Sequence, residues 1–267
     1  MRRGWALLLI LVLTLVWGRA EATCQPIARL PKPGITLASL GGMVGRLAAL
    51  EQVLRLTFLG HASFLIESPE GSSAVTDYNG INVPPRSPDV VSMNIAHTSH
   101  YTDWPDPAIP HVLRGWGVEG KPTLHNLRVK DLNVRNVPTN IRDFGGGGIR
   151  SGNSIFVFET AALCVAHLGH LHHLLTPDHL AELGKIDVLL VPVDGAYTLG
   201  QQFMLEVMRQ IGAPLNIPMH YFTKFTLDRF LDNARGEYAI RVSDTPVVIL
   251  SRDMLPKERE ILVLPGS

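Results

Sequence analysis

The histidines are the residues whose type and spacing point most directly to chemistry. Seven of the eleven histidines fall in two short windows, residues 97–100 and 167–179, and another, His220, follows an apolar run. Both windows also follow stretches typical of buried strands, so these side chains can meet at one edge of a sheet. Imidazole is a common protein ligand of zinc, manganese and iron. The pattern therefore predicts a metal site, although a single histidine is more often a structural residue.

Short apolar runs of β-type composition precede these histidines. The predicted strands cover residues 54–59, 63–67, 73–76, 90–95, 155–158, 163–166, 188–193 and 246–250, with an alternating stretch over 125–138. The predicted helices cover residues 177–183, 199–211 and 226–233, and a further short helix is expected to end near Leu50. Strand clusters followed by helices predict an α/β (α+β) layered sandwich.

The composition restricts the class of protein. Apolar residues make up 46% of the 267 residues and charged residues 18%, as in a folded globular protein. The 24 basic residues balance the 24 acidic residues, so no basic surplus indicates binding to nucleic acid. We expect a small-molecule substrate as the partner, and the sequence does not specify an oligomeric state.

The first 22 residues have the pattern of a signal peptide. Arg2 and Arg3 precede an apolar run from Trp5 to Trp17, and Ala20-Glu21-Ala22 supplies a cleavage pattern of small residues. The run is shorter than the ~20 residues that cross a bilayer. We therefore predict a signal peptide over residues 1–22, one domain over residues 23–267 and no stable membrane span after cleavage. In a bacterium with two membranes the destination is the periplasm, and the alternative is an uncleaved anchor.

The two cysteines leave a choice open. In an oxidising compartment Cys24 and Cys164 could form one disulfide. Alternatively, Cys164 is a small buried apolar residue within the run 161–166.

Five short motifs, taken in order, resemble a known family. They are Gly60-His61-Ala62-Ser63-Phe64-Leu65-Ile66-Glu67 with Thr76-Asp77, the histidine loop 94–104, Gly152-Asn153-Ser154 with the strand after it, His167-Leu168-Gly169, and Ile217-Pro218-Met219-His220-Tyr221. Their order and spacing are similar to those of the metallo-β-lactamase superfamily, in particular the branch that includes ascorbate-6-phosphate lactonase. Over residues 54–250 this resemblance implies a four-layer αββα sandwich with a cleft for one or two metal ions.

The sequence departs from the family's metal ligands. Against the family loop His-x-His-x-Asp-His, His97 and His100 match the second and last histidines, whereas Ile95 and Ser99 replace the first histidine and the aspartate. His170 stands where the family has a carboxylate that bridges two metal ions. Either the site has been remodelled around one ion or the fold has lost its hydrolytic centre. We favour remodelling, because His170, His172 and His173 occur together.

The resulting hypothesis is a secreted metal-dependent hydrolase in which metal-activated water attacks an ester, lactone or phosphodiester. Zinc is the expected ion, with manganese or iron as alternatives. The predicted metal ligands are His97, His100, His167, His170 and His220. Asp103 and Asp194 are the predicted catalytic residues, each as an oxygen ligand or general base. The alternative is a non-catalytic protein that binds a metal or ligand in the same cleft.

A second group of residues is predicted to contact substrate or to orient the ligands: His61, Asp77, Arg142, His172 and His173. The resemblance places His61 at the cleft rim, where packing in a turn is the alternative. Asp77 could accept the second ring N–H of a ligand histidine or cap a turn. Arg142, beside the glycines 145–148, could deliver a guanidinium to an anionic substrate, or the loop could be only a flexible connection.

Overall fold

Alternating apolar residues build two β-sheets that pack face to face. The computed structural model describes Cys24 and residues 52–119, 121–142, 145 and 147–266. The predicted signal peptide and the helix expected near Leu50 lie outside the described residues. Within them, the first sheet contains β1 (Leu54–Gly60), β2 (Ser63–Glu67), β3 (Ser73–Val75), β4 (Val90–Met93), β5 (His111–Arg114) and β13 (Val247–Leu250). Their order is β13-β1-β2-β3-β4-β5.

The second sheet has eight strands in the described part of the chain. They are β6 (Asn126–Val129), β7 (Leu132–Arg142), β8 (Gly148–Thr160), β9 (Leu163–His167), β10 (Val188–Pro192), β11 (Leu215–Met219), β12 (Ala239–Val242) and β14 (Glu260–Val263). Their order is β12-β14-β11-β10-β9-β8-β7-β6. The α-helices are α1 (Pro177–Leu183), α2 (Gln201–Ile211) and α3 (Lys224–Ala234), and a 3₁₀ turn covers Arg252–Met254.

Strand β10 shows how the layers form. Val188 and Leu190 point into the core between the two sheets. Leu189 and Val191 point to the other face, where they pack in one cluster with residues of α1, α2 and α3. This alternation follows from the period of two along a strand. It buries both faces of the central parallel strands, which explains their almost continuously apolar sequence.

The outer face of the first sheet carries a smaller cluster. Val75, Val91 and Met93 pack there with Tyr78 and Ile109. In the described residues the α-helices pack on the second sheet, and loop residues contribute to the cover of the first. The layered α/β sandwich predicted from the sequence is confirmed. No helix within the described ranges is both long and apolar enough to span a bilayer.

Parallel pairing brings the carboxyl ends of the strands that precede the candidate site residues to one edge. In the second sheet β10 pairs in parallel with β9 and β11. In the first sheet β4 pairs in parallel with β3 and β5. Because the carboxyl ends of parallel strands share an edge, the segments that follow β4, β9, β10 and β11 can meet above the sandwich.

The alternating stretch predicted over residues 125–138 is in fact two strands. β6 and β7 pair antiparallel, and Lys130 and Asp131 form the turn between them. Lys130 has a φ of 49°, a left-handed conformation that permits the tight turn. The apolar positions change from Leu127 and Val129 to Leu132 and Val134, so the period of two is interrupted at this turn.

A disulfide joins Cys24 to Cys164. The two α-carbons are 5.6 Å apart although 140 residues separate them in the sequence. Both cysteines are fully buried, and the Arg135 guanidinium donates a hydrogen bond to the Cys24 carbonyl. The alternative of an unpaired buried Cys164 is therefore excluded in this structure. The bridge ties the N-terminal side of the described domain to β9.

Replacing both cysteines by serine should lower the free energy of unfolding by up to about 5 kcal/mol, because a closed loop of this length restricts the unfolded chain. Urea unfolding of the wild type and the double variant measures the difference. A reductant should destabilise the wild type and leave the double variant unchanged. Identical midpoints for oxidised and reduced wild type would contradict a stabilising bridge.

Candidate metal centre

Four imidazole rings meet at the edge where the strand ends converge. His97 and His100 lie in the loop after β4, His170 lies in the loop after β9, and His220 directly follows β11. One ring nitrogen from each lies within 4.8 Å of the others. The Nε2 atoms of His97 and His170 are 2.8 Å apart, and those of His100 and His220 are 3.0 Å apart. We call this group the histidine cluster.

Each Nδ1 atom of the histidine cluster faces a partner outside it. The four contacts are His97 to Ser99 Oγ at 2.6 Å, His100 to Asp77 Oδ2 at 2.5 Å, His170 to His172 Nε2 at 2.5 Å, and His220 to Asp194 Oδ1 at 3.1 Å. The last is an electrostatic contact without hydrogen-bond alignment. Such partners fix the rotation of a ring and decide which nitrogen carries the proton.

Burial opposes protonation of His97, His100 and His170. His100, His170 and His220 are almost completely buried, and His97 is half-buried. Desolvation, followed by repulsion from neighbouring imidazoles, holds the pKa of His100 and that of His170 well below the ordinary value for histidine. Desolvation also lowers the pKa of His97. A neutral imidazole retains a nitrogen lone pair, which is the form that binds a metal ion.

The two Nε2 atoms of His100 and His220 are arranged to bind a cation between them. Asp77 accepts the Nδ1–H of His100, so the Nε2 lone pair of His100 points towards His220. Burial alone would raise the pKa of Asp194, but its contact with His220 and the hydrogen bond from Thr198 lower it below the ordinary value. The ionised carboxylate favours the Nδ1–H tautomer of His220. Two Nε2 lone pairs then face each other across 3.0 Å, and a bound metal ion would relieve their repulsion.

Asp77 lies beside the histidine cluster and hydrogen-bonds to the His100 ring. Its side chain is fully buried, and burial raises the pKa of this carboxyl to about 6. Asn94 Nδ2 donates to Asp77 Oδ1 at 2.9 Å, and Ser63 Oγ donates to the Asp77 carbonyl. The structure thus gives Asp77 the orienting position that was one of the two sequence-based interpretations.

Three residues around the cluster have left-handed backbone conformations. The φ angles are 52° at His61, 41° at Asp77 and 55° at His220. Non-glycine residues in this region cost about 1–3 kcal/mol each and persist where surrounding contacts hold them. One such contact is the hydrogen bond from the His220 amide to the His61 carbonyl at 2.7 Å. The fold therefore holds site residues in unfavourable backbone conformations.

Gly169 sets the direction of His170. It has a φ of 59°, and a Cβ atom there would approach Asn153 Oδ1 and Asn94 Nδ2 closer than 3.0 Å. Those atoms are occupied, because the His170 amide donates to Asn153 Oδ1 and Asn94 Nδ2 binds Asp77. Asn94 and Asn153 are site residues to which the sequence analysis assigned no role. Their only signal was their place in two of the motifs, the histidine loop 94–104 and Gly152-Asn153-Ser154.

Two predicted residues lie apart from the cluster. His167 donates from Nε2 to the Ala62 carbonyl at 2.8 Å and accepts the Gly169 amide at Nδ1, so both ring nitrogens are occupied. Asp103 is exposed, and no hydrogen bond or ion pair found in the described residues connects it to the cluster.

The remaining predicted residues surround the cluster. His61 Nε2 lies 2.9 Å from Ser99 Oγ, and desolvation lowers the pKa of His61 to about 4. Arg142 Nη2 donates to the Thr198 carbonyl at 2.9 Å, and its main-chain amide donates to His172. His173 binds the Asn140 amide and the Leu174 carbonyl instead of the cluster.

The family relationship follows from comparison with known proteins. A model described as the beta-lactamase superfamily domain matches residues 55–220. The UPF0173 metal-dependent hydrolase of Methanoculleus marisnigri is 26% identical over 234 residues, which cover 71% of this chain and 92% of that protein. The chain therefore belongs to the metallo-β-lactamase superfamily.

Other relatives agree. The UPF0173 metal-dependent hydrolase of Methanoregula boonei is 29% identical over 194 residues, 64% of this chain and 83% of that protein. A crystal structure from Thermotoga maritima, described as a candidate Zn-dependent hydrolase of this superfamily, is 32% identical with a TM-score of 0.59. It matches 80% of this chain and 100% of that chain. These relationships confirm a metal-dependent hydrolase, whereas the ascorbate-6-phosphate lactonase branch stays a prediction.

Substituting Gly169 by alanine should disrupt the cluster, because the new methyl group collides with Asn94 and Asn153. Gly212→Ala is the matched control, since Gly212 has a similar φ of 69° and its Cβ would meet nothing closer than 3.9 Å. Both variants incur the cost of alanine in this region, ~1–2 kcal/mol. Only Gly169→Ala should also weaken metal binding, by at least tenfold in a zinc titration. Equal metal affinity in the two variants would contradict this role for Gly169.

Proposed function

We propose that the histidine cluster holds a single divalent ion, zinc by preference, and that the chain hydrolyses a small ester or lactone outside the cytoplasm. The main support is the convergence of four imidazole rings whose Nδ1 atoms all face surrounding groups. Imidazole nitrogen is a ligand that zinc, iron and manganese accept.

The replaced residues favour one ion over two. Ile95, at the position of the family's first loop histidine, has an aliphatic side chain that cannot bind a metal. Ser99 replaces the loop aspartate, and His170 replaces the bridging carboxylate. A pair of metal ions needs a bridging anion and more ligands than one ion, and these positions supply neither.

The residues around the proposed ion have different roles. When bound, the metal supplies Lewis-acid chemistry, lowering the pKa of a water molecule and polarising the group under attack. His97 is the half-buried member of the cluster and marks its open side. His61 and Ser99 lie beside His97 and can hydrogen-bond to substrate. Asp194 orients His220 and accepts the amides of Ala196 and Tyr197, which supports a positioning role instead of the predicted catalytic one.

Two exposed aromatic rings support a substrate with an apolar part. Tyr197 and Phe222 are each 58% exposed, and their rings are 5.5 Å apart. Phe222 lies 5.4 Å from the His220 ring, and Tyr197 lies 6.3 Å from the His97 ring. Binding sites for small molecules typically combine such apolar walls with a few polar groups. Arg142, the predicted anion contact, is already hydrogen-bonded to main-chain carbonyls, which favours esters and lactones over phosphodiesters.

The disulfide supports the proposed location. Disulfides persist in secreted and periplasmic proteins and are rare in the cytosol. Together with the signal-peptide pattern of residues 1–22, the bridge between Cys24 and Cys164 favours export.

Mass spectrometry of the protein from its native host should find a chain that starts at Thr23, whereas a retained Met1 would contradict cleavage.

A second candidate function is non-catalytic metal binding. Structural zinc sites are usually closed by four protein ligands in a tetrahedron. If all four imidazoles were ligands, the cluster would satisfy that shell without a substrate position. This alternative predicts tight metal binding with no turnover.

Elemental analysis and hydrolysis assays of the same preparations test the proposal. The wild type should bind about one equivalent of metal and hydrolyse p-nitrophenyl esters, and His97→Ala with His220→Ala should abolish both. His111→Ala is the control, because His111 lies on β5 outside the cluster. Two equivalents of metal would contradict the single-ion site. One equivalent without turnover on any ester, lactone or phosphodiester would favour the non-catalytic alternative.

Truncating the aromatic rings tests the apolar wall. Phe222→Ala and Tyr197→Ala should each lower kcat/KM for p-nitrophenyl octanoate about tenfold and change that for the acetate less than twofold, because each buried methylene contributes about 0.8 kcal/mol. Phe203→Ala is the control, since Phe203 is 57% exposed on α2 and makes no ring contact with the cluster among the described residues. Equal losses on both esters would contradict an apolar wall.

A further inference from the structure

Four histidines around one ion create a difficulty for catalysis. A tetrahedral zinc ion with four imidazole ligands has no position left for water, whereas catalytic zinc sites typically keep three protein ligands and one open position. The hydrogen bonds of the cluster show which histidine differs from the other three.

The main chain fixes the tautomer of His172. The Arg142 amide donates to His172 Nδ1 at 2.7 Å, and Arg142 Nε approaches the same atom at 3.2 Å. An N–H group can only donate, so His172 Nδ1 must be an acceptor without a proton. An imidazole whose Nδ1 accepts a hydrogen bond is in its neutral form. A neutral imidazole has one N–H, which must then be on Nε2.

The tautomer of His172 determines the tautomer of His170. The Nε2–H of His172 points at His170 Nδ1, 2.5 Å away, so Nδ1 of His170 accepts. The proton of neutral His170 is therefore on Nε2, the atom that faces the cluster. His170 Nε2 lies 2.8 Å from His97 Nε2, which accepts from it. His97 then carries its own proton on Nδ1 and donates to Ser99 Oγ.

His100 and His220 have the opposite arrangement. Asp77 accepts the Nδ1–H of His100, and the charge of Asp194, 3.1 Å from His220 Nδ1, favours a proton on that nitrogen. The Nε2 lone pairs of both rings then face the cluster. His97 also presents an Nε2 lone pair. Three of the four rings thus present acceptors to the centre, and His170 presents a donor.

We infer that His97, His100 and His220 are the metal ligands and that His170 is a hydrogen-bond donor aimed at the reacting oxygen. The inference rests on the proposed function and adds to it the role of one residue. In ester hydrolysis, water oxygen bonds to the acyl carbon, the carbon–oxygen ester bond breaks, and the proton goes to the leaving alcohol. Negative charge develops on the carbonyl oxygen meanwhile, and a preorganised N–H group stabilises it. Arg142 and His172 are positioning residues that keep the donor proton on His170 Nε2.

Metal affinity separates a ligand from a donor. His170→Ala should bind zinc within about threefold of the wild type while kcat falls about 10²–10³-fold, the usual loss for one such donor. His100→Ala, which removes a ligand, should weaken zinc binding at least 100-fold. His170→Gln, whose amide can donate, should recover part of kcat. If His170→Ala loses zinc as His100→Ala does, His170 is a ligand and the inference is wrong.

Nuclear magnetic resonance tests the tautomer directly and does not depend on turnover. In ¹⁵N-histidine protein loaded with zinc, His170 should show a protonated Nε2 and a bare Nδ1, whereas His100 and His220 should show a protonated Nδ1. In His172→Ala, which removes the fixed partner, His170 is free to carry its proton on Nδ1. A protonated Nδ1 on His170 in the wild type would overturn the inference.

These readouts distinguish the two proposals. If the zinc-loaded protein has the expected tautomers and affinities but no turnover, the proposed hydrolytic function fails and the donor role fails with it, while the three-histidine metal site stands. If turnover is present but His170→Ala leaves kcat unchanged, the proposed function stands and only the donor role is wrong.

Discussion

The constraint on which the site depends is the close approach of four imidazole rings, three of them buried. Nitrogen atoms of neighbouring rings lie 2.8 and 3.0 Å apart. Such a group cannot carry several positive charges, because desolvation and mutual repulsion both oppose protonation. Each ring is therefore turned so that its Nδ1 atom faces a partner outside the cluster. These partners are the carboxylates of Asp77 and Asp194, the hydroxyl of Ser99 and the ring of His172.

The rest of the fold keeps these partners in place. Parallel pairing of β9, β10 and β11 brings loops from distant parts of the chain to one edge. Asn94 connects this edge across the two sheets, since it binds both Asp77 and the Ser154 amide. Gly169 passes between the two asparagines where a larger residue cannot. The strained backbone at His61, Asp77 and His220 indicates how strongly the surrounding contacts determine the site.

Much of this arrangement could be predicted from the sequence, for a clear physical reason. Histidines that directly follow apolar strands must lie at a strand end, so His97, His100, His170 and His220 could be placed near one another. His167 could not be separated from them, because it is the last residue of β9 and its ring direction depends on the turn at Gly169 that follows. The pairing of Cys24 with Cys164 depended on a distance across 140 residues, which no local pattern encodes. The hydrogen bond from the Arg142 amide to His172 is equally invisible, because main-chain donors leave no trace in residue types.

X-ray absorption at the metal edge of the wild-type protein tests the central claim, a single ion held by imidazoles, most directly. The account predicts nitrogen and oxygen neighbours at about 2.0–2.1 Å, the outer-shell scattering of several imidazole rings, and no sulfur. It also predicts no second metal within about 4 Å. A metal–metal distance of about 3.5–4 Å, as in two-metal hydrolases, would contradict it.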